Sequence, residues 1–283
     1  LSGTDMAPAT VQRYETSLKH TRDFVWETYH KKDVLLDEVS RQFIEDYEFW
    51  LKTEKKCCHN TATKYLKNFK KIIRIALAKG WMKNDPFLEI RFSLDKVEPD
   101  FLEDSEIQKL ISKEIDIPRL SQVRDIFVFC CFTGLAFSDI HGLRKEHIVE
   151  DSNGVRWIRK GRQKTKIMCN IPLMEIPLKI LEKYSTNEYC KKHGVLFPVL
   201  CNQKMNAYLK ELADICGIKK TLTTHVGRHT FATFALANGV SIESVAKMLG
   251  HTNVQMTRHY ARVLDRTVIR EMSQIKMDFH ISI

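Results

Sequence analysis

The chain has 283 residues, 43% of them hydrophobic, and its 45 Lys and Arg against 35 Asp and Glu give a net charge of +10. Such a chain can bury an ordinary core in about two domains of roughly 150 residues. No run approaches the ~20 apolar residues of a membrane span, and no secretory leader is recognisable. The basic excess suits a polyanion such as nucleic acid, and it equally suits a basic enzyme without such a partner.

The first ~95 residues read as helices from their apolar spacing. "TVQRYETSLKHTRDFVWETY" (10–29) and "SRQFIEDYEFWLKTEKK" (40–56) carry the pattern, and "NTATKYLKNFKKIIRIALAKG" (60–80) carries it most clearly. Asn60 is the expected N-cap and Gly80 the expected stop. Tyr65, Leu66, Phe69, Ile72, Ile73 and Ala76 form the expected buried stripe. Lys64, Lys67, Lys71 and Arg74 recur at three- and four-residue steps along another face. From Lys52 to Lys79 there are nine basic residues against one acid, Glu54. Like charges so spaced repel by a few tenths of a kcal/mol, so the four are expected to bind DNA, the alternative being a solvated face.

The eight cysteines include the neighbouring pairs Cys57–Cys58 and Cys130–Cys131 and show no C-x-x-C spacing. They are expected to be reduced, mostly buried residues of an intracellular protein. Cys57–Cys58–His59 lacks a second ligand pair, so no metal is expected there.

"SLDKVEPD" (93–100) is polar and contains proline, marking a connection. The resulting division is a helical domain over 1–95, a linker over 96–102 and a second domain over 103–283. In the second domain helices are expected around 104–113 and 123–133, then at 173–185, 203–216, 225–238 and 241–250. Between them "GVRWIRKGRQKTKIMCNIPL" reads as a β-hairpin, with its turn near Lys160–Gln163 and Pro172 ending the second strand. The fold class is mainly α with a small β-sheet.

Three segments of this domain concentrate unusual chemistry. Arg162, Lys164 and Lys166 would share one side of a regular strand. His225 and Arg228, followed by His229, open the helix "THVGRHTFATFALANG", where cations oppose the macrodipole and an anion is the missing partner. "HTNVQMTRHY" (251–260) places two histidines, an arginine and a tyrosine in a polar loop. Arginine clamps phosphate oxygens with a planar fork, lysine or histidine moves protons, and tyrosine can attack. A metal-dependent nuclease would need clustered carboxylates to hold Mg²⁺, and this set offers none.

"HVGRHTFA", then "LGH", then a tyrosine nine residues after that histidine, resembles the signature of the tyrosine recombinases, or phage integrase family. "CCFTGLAFSDIHGLRKEHI" (130–148) and "GRQKTKIMCNIPL" resemble that family's helix–turn–helix entry to the catalytic domain and its β-hairpin carrying the catalytic lysine. The basic first domain resembles its SAM-like core-binding domain. The resemblance implies a C-shaped clamp around duplex DNA and cleavage through a covalent 3′-phosphotyrosyl link, with neither ATP nor metal required. It makes Tyr260 the nucleophile, Lys164 the general acid, and Arg228, His225 and His251 the phosphate binders. His229 and His259 are expected to serve packing or phosphate contacts. It further implies a bacterial cytoplasmic, nucleoid-associated enzyme, monomeric when free and tetrameric on its paired attachment sites, with DNA-bending accessory proteins as further partners. Because the chain begins at Leu1, an additional N-terminal arm-binding domain is expected to have been removed.

One departure stands out. The family places an arginine directly after "TGL", where this chain has Ala136. Losing one such donor costs on the order of 10²–10³ in rate. Another arginine reaches the phosphate, or catalysis is impaired, or the alanine is engineered. "TGLAFSD" resembles integrases of Bacteroides-type conjugative elements, in which that position is commonly not arginine, and this favours a surrogate. Arg162 is the candidate and Arg144 the runner-up. Beyond Tyr260, Val263, Leu264, Val268, Met272 and Ile275 form an irregular apolar stripe. The resemblance suggests docking of that tail onto a neighbouring protomer, the alternative being packing on its own domain. A site-specific recombinase of a mobile element is the expected function. A topoisomerase-like nicking–closing enzyme and a DNA-binding protein with a crippled site are the alternatives.

Overall fold

Proline at the first position of a helix costs no hydrogen bond, and helix α1 (Pro8–Tyr29) starts that way, ending on left-handed His30. The structure, a computed structural model, describes residues 6–260 and 272–273. It divides into two units, Leu1–Val97 and Glu98–Ile283. In the first, α2 (Arg41–Thr53) is capped by Ser40, whose hydroxyl accepts the Phe43 N–H at 3.3 Å. Helix α3 (His59–Ala78) begins after Cys58, so Asn60 is not the N-cap expected from the sequence but lies inside the first turn. Its amide instead holds Asp95 from both sides, donating to the Asp95 carbonyl at 3.0 Å and accepting the Asp95 N–H at 2.8 Å. Gly80, at φ +71°, follows the last turn as expected.

The first core is aromatic, with the Phe24 ring 4.9 Å from Tyr47 and 5.1 Å from Phe43. From α3 it takes Leu66, Ile73 and Ala76. Tyr65 and Phe69 are only half-buried, and Ile72 is 51% exposed. Ile72 lies one ~100° step from Ile73 and so falls off the seam. Lys64, Lys67, Lys71 and Arg74 are all exposed.

The second unit is built on α5 (Pro118–Thr133), buried along nearly its whole length. From Ile126 to Phe132 its sequence is apolar on every side, which suits a central helix, and Pro118 starts it five residues before the expected Val123. Around it lie α4 (Asp104–Ser112), α7 (Glu175–Tyr184), α9 (Asn202–Ile215) and α10 (Thr224–Ala237). Helix α11 (Ile242–Leu249) packs on α10 and ends on left-handed Gly250. After the turn at Gly134, α6 (Phe137–His141) supplies the second helix of the helix–turn–helix expected over 130–148, whereas two short helices went unforeseen: α8 (Glu188–His193) and α12 (Gln255–Arg258), the last within the segment expected to be a loop.

A three-stranded antiparallel sheet runs β1 (Ile148–Glu150), β2 (Arg156–Gly161) and β3 (Met168–Pro172), one strand more than the expected hairpin. The β2–β3 pairing stops at Gly161 opposite Met168. Residues 162–167 form a turn in which the Lys166 N–H returns to the Arg162 carbonyl at 2.9 Å and Lys166 takes φ +60°. Arg162, Lys164 and Lys166 therefore do not share a strand face. Arg162 turns inward, whereas Lys164 and Lys166 are exposed.

All eight cysteines are free, but only Cys130, Cys131, Cys169 and Cys190 are buried, fewer than expected. Among the described residues no helix is long and apolar enough to cross a membrane. Of the expected tail stripe only Met272 falls within the described residues, and it is half-exposed.

Candidate active site

The site assembles where two helices end. Left-handed Gly134 closes α5, and Leu249 is the last residue of α11. Helix C-termini leave carbonyls unpaired and carry partial negative charge. Arg228, 3% exposed, occupies that position, donating through Nη1 to the Gly134 carbonyl at 2.6 Å and through Nη2 to the Leu249 carbonyl at 2.7 Å. The missing partner of this cation is thus partly supplied by main-chain carbonyls. Arg228 is the fifth residue of α10 rather than part of its opening turn. Burial, and then the neighbouring Arg162 guanidinium, push its pKa down to about 10.

Nη2 of Arg228 also meets Nε2 of His251 at 3.0 Å, and the other ring nitrogen of His251 meets the Thr257 hydroxyl at 2.8 Å. Thr257, on α12, accepts the Tyr260 N–H at its carbonyl. Tyr260 is 9% exposed. Burial raises its pKa, opposed by the charges of Arg228 and Arg162. The Tyr260 ring lies 5.2 Å from His229, 5.8 Å from His259 and 6.3 Å from His251.

Arg162 enters from the hairpin turn. Its Nε sits 3.5 Å from a carboxylate oxygen of Asp139, which is 2% exposed and accepts the Gln163 N–H at 2.9 Å on its other oxygen. Asp139 is the third residue of α6, whose N-cap residue is Ala136. The charge of Arg162 lowers the pKa of Arg228, His251 and His225. Gly250 makes room for this side chain: at φ +61°, a Cβ there would stand 2.7 Å from Arg162 Cδ and 2.7 Å from Cys169 Sγ. Gly250→Ala is therefore expected to expel Arg162, slowing covalent adduct formation at least ~10-fold and lowering the denaturant midpoint by the equivalent of roughly 1–3 kcal/mol.

The structure thus gathers Arg228, His251, Tyr260 and Arg162, with His225 at the rim. Lys164 stands apart on the exposed turn, near enough for its charge to act on His225. Arg144 is exposed and lines a groove of about 1030 Å³ with Ile148, Leu178 and Tyr184, which contains none of the gathered residues. Sequence reasoning missed Asp139 and Thr257, both inside quoted motifs, and the Gly134 and Leu249 carbonyls, which leave no sequence signal.

Burial first, then nearby cations, push His251 and His229 from 6.5 down to about 4. Both imidazoles hold a proton less tightly folded than unfolded, so the unfolded chain takes up more protons as pH falls. Their contribution is full above about 6.5 and is lost progressively towards 4. Melting temperatures measured across that window should fall steadily, and a His251→Gln, His229→Gln double variant should show a flatter slope.

A buried tyrosine that feels the charges of two arginines, with imidazoles around its ring, offers what phosphoryl transfer needs: guanidiniums able to neutralise nonbridging oxygens and a hydroxyl able to act as nucleophile. Comparison with known proteins points to the same class. The phage integrase family profile matches residues 100–267, and that of the phage integrase SAM-like domain matches residues 2–97. The chain belongs to the phage integrase family. It is 29% identical over 265 residues to a tyrosine recombinase of Pseudothermotoga lettingae, covering 91% of this chain and 88% of that protein. It is 26% identical over 266 residues to the tyrosine recombinase XerD of Oceanobacillus iheyensis, covering 90% and 87%. Residues 75–356 of lambda integrase, crystallised as a dimer bound to a COC′ core site, share the fold with a TM-score of 0.74, 17% identity and coverage of 99% and 95%. The Tn1549 transposon integrase bound to a circular intermediate DNA gives 0.71, 19%, 96% and 96%.

Proposed function

We propose that this protein is a site-specific DNA recombinase that integrates or excises a mobile element by cutting and rejoining strands through Tyr260. The observation that carries the reading is one buried cluster in which the Tyr260 ring stacks 6.3 Å from that of His251, His251 is bonded to Arg228 at 3.0 Å, and the charges of Arg228 and Arg162 act on the tyrosine. The Tyr260 oxygen bonds to phosphorus, the bond to the 5′ oxygen breaks, and Lys164, carried in on its exposed turn, protonates the leaving oxygen. Arg228, with His225 and His251, binds the nonbridging oxygens. Arg162 stands in for the arginine that Ala136 replaces. Lys64, Lys67, Lys71 and Arg74 contact the phosphates of duplex DNA, which makes binding steeply salt-dependent. The assembly is a tetramer on two attachment sites, formed from free monomers with the help of DNA-bending proteins.

The test is covalent trapping on nicked duplexes drawn from the ends of the encoding element, without added metal, resolved on a denaturing gel. The parent should form a protein–DNA adduct, and Tyr260→Phe should form none while binding equally well. Binding without an adduct in the parent would reject the reading in favour of a protein that binds DNA only.

A further inference from the structure

We infer that His229 is a further catalytic residue of this site, the group that takes the phenolic proton of Tyr260 as the tyrosine attacks. The inference rests on the reading of Tyr260 as nucleophile. His225 and His229 are four residues apart on α10 and so lie on one face, their ring centroids 4.3 Å apart. The Tyr260 ring packs on His229 at 5.2 Å. A line of three rings therefore leads from the buried nucleophile through His229, 8% exposed, to His225, which reaches solvent. Nδ1 of His229 is buried without a hydrogen-bond partner, and a buried polar nitrogen left unpaired in a native fold calls for an explanation.

The surroundings of Tyr260 give its proton few other destinations. Arg228 and Arg162 are donors only and accept nothing. His251 has both nitrogens engaged, one by Arg228 and one by Thr257. His259, the other imidazole against the Tyr260 ring, is exposed, where water competes for its nitrogens. His229 keeps an unpaired ring nitrogen beside the Tyr260 ring, and the negative charge of a bound scissile phosphate offsets the desolvation that otherwise disfavours its protonated form. In the step, the phenolic O–H bond breaks and its proton passes to the His229 imidazole. The phenolic oxygen bonds to phosphorus, the bond from phosphorus to the 5′ oxygen breaks, and that oxygen leaves with a proton from Lys164. On rejoining, the 5′-hydroxyl gives its proton to Lys164 as it attacks, and the departing tyrosine oxygen recovers the proton from His229. His225 exchanges the relayed proton with water.

The experiment is single-turnover adduct formation by the parent, His229→Ala and Lys164→Ala on two nicked duplexes. One carries an ordinary scissile phosphate and the other sulfur in place of the bridging 5′ oxygen, a leaving group that needs no proton. His229→Ala should be slowed ~100-fold or more on both duplexes, whereas sulfur should restore Lys164→Ala. Added imidazole should recover part of the His229→Ala rate. A His229→Ala rate within about threefold of the parent, or restoration by sulfur, would overturn the inference. Should His229→Ala fail to fold, as judged by circular dichroism and DNA binding, His229→Phe fills the same space and is read the same way, slow on both duplexes or overturning. No adduct from the parent strikes the nucleophile reading and this inference together; a parent adduct with an unimpaired variant strikes this inference alone.

Discussion

Arg162→Ala should reduce covalent adduct formation by a factor of about 10²–10³, the usual loss when one preorganised donor is removed from a developing anion, while DNA affinity changes by no more than a few-fold. Binding is spread over many phosphate contacts, so one guanidinium at the scissile phosphate contributes little to it. Arg162→Lys should recover little of the rate, because an ammonium keeps the charge but loses the planar fork. Two features of the structure make this the largest single effect expected outside Tyr260. The side chain is 11% exposed and its Nε is buried without a hydrogen bond, and its charge is felt by Arg228, His251 and Tyr260 together. Single-turnover rates set beside fluorescence-anisotropy binding curves would check it. Equal loss of rate and affinity would instead make Arg162 an ordinary backbone contact.

Asp139→Ala should be the most destabilising change near the site, lowering unfolding free energy by roughly 3–5 kcal/mol, as removal of one partner of a buried ion pair does. The carboxylate is 2% exposed and serves both the Gln163 N–H and the Arg162 side chain. Without it a main-chain donor stays unpaired, and the mutually repelling charges of Arg162 and Arg228 lose the carboxylate that acts on both. A bound scissile phosphate supplies such an anion, so the loss should be smaller for the protein–DNA complex than for the free protein. Chemical denaturation with and without a cognate duplex would measure both. A loss unchanged by DNA would show that Asp139 supports the turn alone.

Several elements of this chain were legible because the relevant physics is local. The first three helices and the pair α10–α11 follow apolar periodicity, the central helix shows as an unbroken apolar run over Ile126–Phe132, and Gly80 and Gly250 stop helices because they relax at positive φ. The order "HVGRHTFA", "LGH", tyrosine is itself a local string, and with it came the family, the fold class and the identity of Tyr260, Arg228, His225 and His251 as the groups to watch. Asn60 misled because a good capping residue was assigned by type alone, when its amide is engaged by Asp95, 35 positions away. Ile72 misled because a stripe of six residues is wider than the seam the neighbouring helices can cover.

What the sequence determined by itself is therefore the long helices, the β2–β3 hairpin and the titratable groups of the site named by its motifs. Only the tertiary structure decided how that inventory is arranged. Strand alternation put Arg162 and Lys164 on one side, but the turn after Gly161 separates them, sending one inward to Asp139 and leaving the other in solvent. The charge on Arg228 is met by carbonyls at the ends of two helices that lie 94 and 21 residues away in sequence. Neither effect has a sequence signature, because main-chain acceptors look alike at every residue. The space that admits Arg162 exists only where α11, the hairpin and α6 converge.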